Sequence, residues 1–560
     1  MLKYLALFLL FFALSIPVYS FDPSLPNNKF GIHLAVPDEQ DLKDAGKLVN
    51  SSGGKWGYVT LVIQENDRDP KKWQEVFDTL RELRLIPIIR LATQPVGDTW
   101  RRPKKEDARE WVSFLNSLNW VVKDRYVVLF NEPNHGAEWG GAVDPKDYGE
   151  VAFSFAKALK EKNKNFFVML AGFDSAAPSQ PPLFEDEEVF LRKITEAQSS
   201  LSDLLDGWAS HSYPNPGFAG SPQDFGRGTV RGYQWERDLL KNLGINRDFP
   251  IFITETGWKH GELSPETVGE YIAIAYQTVW LPDQSIRAVT PFVLNYQGEP
   301  FLSFSWKRPQ SDEYFTHYDM IQALEKEKGA PEQEERGRIE QTLPKKLVAE
   351  SSYRFKITLH NEGQAIWDRE DGYYLKIEEP YESYFFSDLK SISPNQEAEI
   401  DLFIKTQGLK GKESLNIALY KDDKKVLSSV SWTFTVVPLP RLSFKVRLFP
   451  KLKPDDSRRY ELQIFDKREQ LVLKKSNVKI KGGVGALNAV QNVYLGEDFR
   501  VVILTQNYLP RQGFITFKEG ENAIVFERML PLDFDRDGNF DLADIGALLK
   551  NPRLFALFLP

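Results

Sequence analysis

From Lys29 to about Gly329 one pattern recurs: a short apolar run without alternation, then a longer segment of helical periodicity. The runs lie at Phe30–Leu34, Gly57–Ile63, Ile86–Ala92, Tyr126–Phe130, Phe166–Ala171, Gly207–Ser212, Ile251–Thr254 and Ala288–Leu294. Amphipathic segments such as Pro70–Leu83 and Tyr148–Lys162 lie between them. Runs that are apolar throughout suit parallel strands covered on both faces. Eight β/α units in this span predict a TIM barrel over residues 21–329 rather than a doubly wound sheet.

The pattern then breaks. Residues 323–344 are charged, contain Pro and have few large apolar side chains, which reads as the end of the last helix and a linker at 330–344. Beyond it the period becomes two, at Tyr353–Leu359, Glu399–Ile404, Leu415–Tyr420 and Val430–Val436, predicting a β-sandwich at 345–437. Pro438-Leu439-Pro440 marks a boundary, and a second β-sandwich module is expected at 438–530. The tail, 531–560, holds an Asp-rich loop and a short helical pattern at Ile545–Lys550. The expected architecture is therefore multidomain: a (β/α)8 TIM barrel, two β-sandwich modules and a short calcium-loop helix.

Composition narrows the picture. With no Cys, zinc–thiolate sites, Fe–S clusters and thiol nucleophiles are excluded. A net charge of −8 gives no basic footprint, so nucleic acid is not an expected partner. Lys3, the apolar Leu5–Pro17 and Val18-Tyr19-Ser20 read as an export signal over residues 1–20, giving a secreted or cell-surface protein. Leu2–Tyr19 is nearly long enough to act as a membrane anchor instead.

Two of the apolar runs end on an acid: Val127–Phe130 leads into Asn131-Glu132-Pro133, and Ile251–Ile253 into Thr254-Glu255-Thr256. Strand C-terminal ends form the active face of such a barrel, so Glu132 and Glu255 meet there as paired carboxylates. Hydrolysis of a glycosidic bond needs that pair. Arg90, near the end of the third run, is placed to hold a carboxylate ionised. His211 and Tyr213 close the sixth run, and Trp139, Trp258, Tyr296 and Trp306 are candidate sugar-stacking rings, with core packing the alternative. In the tail, Asp533, Asp535, Asp537, Gly538, Asp541 and Asp544 fall at positions 1, 3, 5, 6, 9 and 12 of a calcium loop. With Asn539, these acids are the candidate ligands of a structural calcium ion; no cofactor is expected for catalysis.

Leu129-Phe130-Asn131-Glu132-Pro133 and Thr254-Glu255-Thr256-Gly257-Trp258, at the fourth and seventh strands, resemble clan A glycoside hydrolases, which are retaining (β/α)8 enzymes. The resemblance implies Glu132 as acid/base, Glu255 as nucleophile and Asn131 on the sugar 2-OH. It implies Tyr213 beside the nucleophile and a neutral His211 that raises the Glu132 pKa or binds substrate. The sequence departs from the clan in carrying its Arg on strand three rather than two. It also lacks the Trp that usually ends strand eight, for which Tyr296 or Trp306 would substitute. The expected protein is an exported retaining hydrolase of a β-linked polysaccharide or oligosaccharide, with carboxyl groups ~5–5.5 Å apart. Endo and exo action both stay open. The rival reading is a non-catalytic carbohydrate-binding or cell-surface adhesion protein. The Asp-rich run resembles a dockerin segment with one loop, which implies a cohesin-like or cell-surface partner. Asn361-Glu362-Gly363 followed by Trp367 resembles immunoglobulin-like accessory domains, acting as spacers or glycan binders.

Overall fold

The computed structural model describes residues 26–378 and 384–559, and the expected export signal lies outside them. The protein is multidomain and rich in β-sheet. The described residues divide into two compact units, one of residues 26–334 with Gln364–Ile366 and one holding the remaining described residues. Among the described residues no helix is long and apolar enough to cross a membrane.

The first unit has eight parallel strands: β1 Gly31–Leu34, β2 Gly57–Gln64, β3 Leu85–Ala92, β4 Arg125–Leu129, β5 Phe166–Leu170, β6 Trp208–His211, β7 Ile251–Glu255 and β8 Ile286–Val289. They form a sheet of order β1-β2-β3-β4-β5 and a second of order β8-β7-β6. Parallel bridges Phe30–Val289 and Asp174–His211 join the two at both edges, so the arrangement is barrel-like. Helices α1 Glu39–Val49, α2 Pro70–Glu82, α3 Ala108–Ser117, α4 Pro145–Lys162, α5 Glu187–Ala197, α6 Gly232–Asn242, α7 Pro265–Ala275 and α8 Thr316–Ala323 follow the strands in turn. Asp38, Asp69, Asp144, Asp186 and Ser264 cap five of these helices by accepting from first-turn N–H groups. The strands are buried almost throughout, and one continuous core fills the unit. The eighth run was expected to reach Leu294. Its strand ends at Val289, and the chain leaves the sheet through a cis Phe292–Val293 peptide.

In the second unit, β9 Gly337–Gln341, β10 Lys346–Val348, β11 Ser352–Asn361, β12 Tyr373–Ile377, β13 Tyr384–Phe386, β14 Glu397–Lys405, β15 Gly411–Lys421 and β16 Val430–Val437 make two sheets, β9-β11-β14-β13 and β10-β16-β15-β12. Residues 330–344 are therefore not a plain linker. Ile339 is buried between outward-facing Arg338 and Glu340, and that alternation makes 337–341 an edge strand. Strands β17 Arg441–Lys445, β18 Arg459–Phe465, β19 Leu471–Lys481, β20 Val484–Leu487, β21 Asp498–Thr505, β22 Tyr508–Thr516 and β23 Glu521–Val525 follow. They pair in the order β22-β21-β18-β19-β20-β17-β23. The long β19 links two groups of strands: most of it pairs with β18, while Ile480 and Lys481 at its end pair with β20. Helix α9, Leu542–Lys550, is capped by Asp541.

Candidate active site

Glu132 follows β4 and Glu255 ends β7, which brings both acids to one end of the parallel strands. The backbone at β4 turns sharply. Phe130 has φ 74° and Glu132 φ 29°, unfavourable for residues with a Cβ and common where function fixes a side chain. The Glu132 N–H donates to the carbonyl of Gly172 at 3.2 Å, tying the turn to the chain beyond β5. Asn134, fully buried, donates to the carbonyls of Asp174 and Glu185 and holds the same loops together.

His211 sits between the acids. Its Nδ1 is 2.7 Å from Glu132 Oε1 and 3.9 Å from Glu255 Oε2. One oxygen of Glu132, one of Glu255 and a ring nitrogen of His211 all lie within 4.8 Å of one another. Arg90 Nη1 donates to Glu255 Oε1 and, at 2.7 Å, to Asn131 Oδ1. The Tyr213 hydroxyl donates to Glu255 Oε2 at 3.0 Å. Glu255 is thus gripped on both oxygens. Burial would push its carboxyl up, but His211, Arg90 and the Tyr213 hydroxyl outweigh burial and hold it down at about 2. Burial also opposes charge on His211, yet the two glutamates outweigh it and raise its pKa. This contact with both acids is what ties His211 to the pair. The same three residues have donor types that can ligate a metal, but Arg90 already neutralises Glu255, which disfavours a further cation there.

The structure brings Glu132, Glu255, Asn131, Arg90, His211 and Tyr213 together. The expected stacking rings fare differently. Trp139 is 0% exposed, with its indole N–H on Asp147 and its ring against Phe130 and Tyr148. Trp258 is 2% exposed, bonded to the Gly220 carbonyl and packed on Tyr271. Trp306 is 2% exposed and packs on His317. All three are packing residues, because each indole is enclosed by neighbouring side chains. Tyr296 is half-buried and packs on Phe301. The aromatic surface nearest the acids is a cluster of Phe218, Phe292 and Phe304 around Tyr213.

Three further residues join the site. His33 on β1 has its Nε2 3.7 Å from Glu255 Oε1 and its ring edge-on to Phe292. Burial and Arg90 push its pKa down to about 3, so it is neutral. Glu138 hydrogen-bonds Asn131, and burial and Glu132 push its carboxyl up to about 7. Gly172 has no room for a side chain: an added Cβ would lie 2.1 Å from His211 Cδ2. Only His33, within the first apolar run, left a sequence signal, a polar residue in a buried strand.

Behind this site lies a second acid pair. Glu187 on α5 and Glu236 on α6 are 0% and 1% exposed and act electrostatically on each other. Neither Glu187 oxygen has a hydrogen-bond partner among the described residues. Two buried carboxyl groups side by side disfavour a second negative charge, and burial raises the pKa of both. Glu236 also receives the Trp208 indole N–H at 3.2 Å and hydrogen-bonds Ser210, both on β6 beside His211.

In the tail, oxygens of Asp533, Asp535 and Asp537 lie within 4.8 Å of one another, as do those of Asp535, Asp541 and Asp544. Asp544 accepts from the N–H groups of Phe534, Asp535 and Asp541. The Gly538 N–H donates to Asp533, and the Asn539 N–H to Asp537, while Asn539 itself is exposed. This all-oxygen donor set fits a hard cation such as calcium.

No protein-family model and no curated protein matches the chain. Among solved structures, it is similar to chitinase ChiW from Paenibacillus sp. str. FPU-7 at 10% identity and TM-score 0.29, over 74% of this chain and 57% of that one. A GH5 xyloglucanase from Bacteroides ovatus aligns at 10% identity and TM-score 0.31, over 53% of this chain and 75% of that one. The β-D-mannosidase from Dictyoglomus thermophilum aligns at 10% identity and TM-score 0.26, over 89% of this chain and 61% of that one. The match to the chitinase spans little more than half of that chain, and likenesses this distant do not define the site.

Proposed function

We propose that the first unit is a (β/α)8 barrel and a retaining glycoside hydrolase acting on a β-linked polysaccharide or oligosaccharide. One observation carries the reading: Glu132 and Glu255 present oxygens within 4.8 Å of each other, around His211, at the strand ends. Retaining enzymes hold their two carboxyl groups ~5–5.5 Å apart, whereas inverting ones leave ~6.5–9.5 Å for a water. Glu255, kept ionised by Arg90 and Tyr213, attacks the anomeric carbon. The glycosidic C–O bond breaks, and its oxygen takes a proton from Glu132, which His211 contacts directly. Water then enters, loses a proton to Glu132 and displaces Glu255, restoring both groups. Asn131, fixed by Arg90, presents its amide to the substrate. The phenylalanine cluster beside Tyr213 supplies the apolar wall.

The same reading holds residues 1–20 to be an export signal and the two β modules to be accessory. It assigns the C-terminal loop a structural calcium ion and a cohesin-like or cell-surface partner. The test is a screen of neutral and charged polysaccharides for reducing-end release. Wild type should release ends from one of them, and Glu132→Gln and Glu255→Gln should not. Equal release by all three chains would overturn the reading in favour of a binding or adhesion protein.

A further inference from the structure

The net charge of −8 hides a strong asymmetry. Residues 438–530 carry 17 Lys and Arg against ten Asp and Glu, a net charge of +7, so the rest of the chain carries −15. Within that module most acids are already engaged. Asp455 pairs with Arg458, Glu461 with Lys474, Glu469 with Arg500, Glu497 with Lys467 and Glu521 with Arg441. Lys445, Lys479 and Lys481 have no ion-pair partner among the described residues, and all three are exposed.

The strand register gathers them on one face. Lys445 of β17 and Lys481 of β19 both stand opposite Val484 of β20, which lies between them, and Val525 of β23 stands on the far side of Lys445. Val484 is 42% and Val525 71% exposed, so this row faces solvent. Lys479, two residues before Lys481, shares the face, and Arg459 of β18 stands directly opposite Lys479. From sheet spacing, Lys445 and Lys481 lie roughly 10 Å apart and Lys479 and Lys481 about 7 Å. Like charges opposed across a strand pair destabilise a sheet. A sheet that opposes Arg459 to Lys479 and leaves the neighbouring lysines unneutralised keeps a cost that a polyanion would remove. The next row, Ser443, Ala486 and Ala523, is small and flat and lets an extended chain lie close.

We propose that this face of the seven-stranded sheet binds an anionic polysaccharide along the row of Lys445, Lys479, Lys481 and Arg459. The row carries no ring for stacking bases and no Trp or Tyr to anchor in a bilayer, which favours a polysaccharide over nucleic acid or membrane. That choice also rests on the glycan-cleaving reading of the first unit. Binding is read without turnover, so failure of one leaves the other standing.

The test uses the full chain carrying Glu255→Gln, so that no substrate is consumed, in affinity electrophoresis through polygalacturonate and through neutral dextran. Retention on polygalacturonate alone is expected, fading as salt is raised. Lys445→Gln, Lys479→Gln and Lys481→Gln together should weaken it by roughly fivefold per charge removed. The control removes three ion-paired lysines of the first unit, Lys43, Lys72 and Lys105, and should leave retention unchanged. If the triple variant melts differently from its parent, Lys481→Gln alone replaces it. The proposal is overturned by absent retention, by equal loss in the control, or by retention that survives the change. Tighter binding to double-stranded DNA or to phosphatidylglycerol vesicles than to polygalacturonate would overturn it as well.

Discussion

The first unit holds two pairs of acids and resolves the same electrostatic problem in opposite ways. Glu132 and Glu255 sit at the strand ends with Arg90, His211 and Tyr213 around them, and Glu255 stays ionised in spite of burial. Glu187 and Glu236, more deeply buried, have no facing cation in hydrogen-bond contact, and burial raises the pKa of both, which favours a proton held by the pair. Burial alone does not set the charge of a carboxyl group; the donors within reach do. On the proposed reading Arg90 and Tyr213 keep Glu255 ready to attack, while Glu236 braces β6 through Trp208 and Ser210.

The largest effect should come from removing the ionised partner. Glu255→Ala should lower turnover by about 10⁴-fold or more, as loss of a covalent nucleophile does, and azide or formate should partly restore it. Glu132→Ala should harm substrates with poor leaving groups far more than activated aryl glycosides, which need no proton. Arg90→Met comes next. With the guanidinium gone, turnover should fall about 100-fold, and the acid limb of the pH–rate profile should move up towards the ordinary carboxyl value. An acid limb left in place would show that Arg90 does not hold Glu255.

Gly172→Ala should act through His211. A methyl group 2.1 Å from the imidazole must displace it, at about 1–3 kcal/mol of stability and with loss of the Glu132 contact. Thermal melts and turnover should fall together. The buried pair predicts a pH effect of definite sign. The folded state keeps a proton that the unfolded chain loses above the ordinary carboxyl value, so stability should fall as pH rises from there to the raised value in the fold. The slope should approach about 1.4 kcal/mol per pH unit for one proton. Glu187→Gln, which donates without titrating, should flatten that slope while leaving turnover near wild type. An unchanged slope would mean that the pair carries no shared proton. The smallest effect is expected in the tail, where chelation should speed proteolysis after about Leu532 and leave turnover unchanged.

Much of this was legible in the sequence. The eight apolar runs gave the parallel strands to within a few residues, because a strand buried on both faces has no polar alternation to obscure it. The two acids stood out since an apolar run rarely ends on a carboxylate. Arg90 stood out as a cation inside an apolar run, and His211 and Tyr213 through their place at a strand end and the clan resemblance. The tryptophans misled, because a ring that would stack on a sugar also fills a core, and only neighbours in space distinguish the two. Gly172 and Glu138 left no mark, since their roles depend on contacts across the strand ends. The edge strand at 337–341 was masked by the charged side chains on its outer face. The basic sheet disappeared in a chain-wide net charge of the opposite sign.

The central claim is that Glu255 forms a covalent bond to the sugar. Incubation with a panel of 2-deoxy-2-fluoro glycosides bearing an activated leaving group, followed by peptide mass mapping, tests it most directly. One sugar per chain, attached to the peptide containing Glu255, is predicted. A label on any other residue, or none from a sugar whose unfluorinated glycoside the protein hydrolyses, would contradict the account.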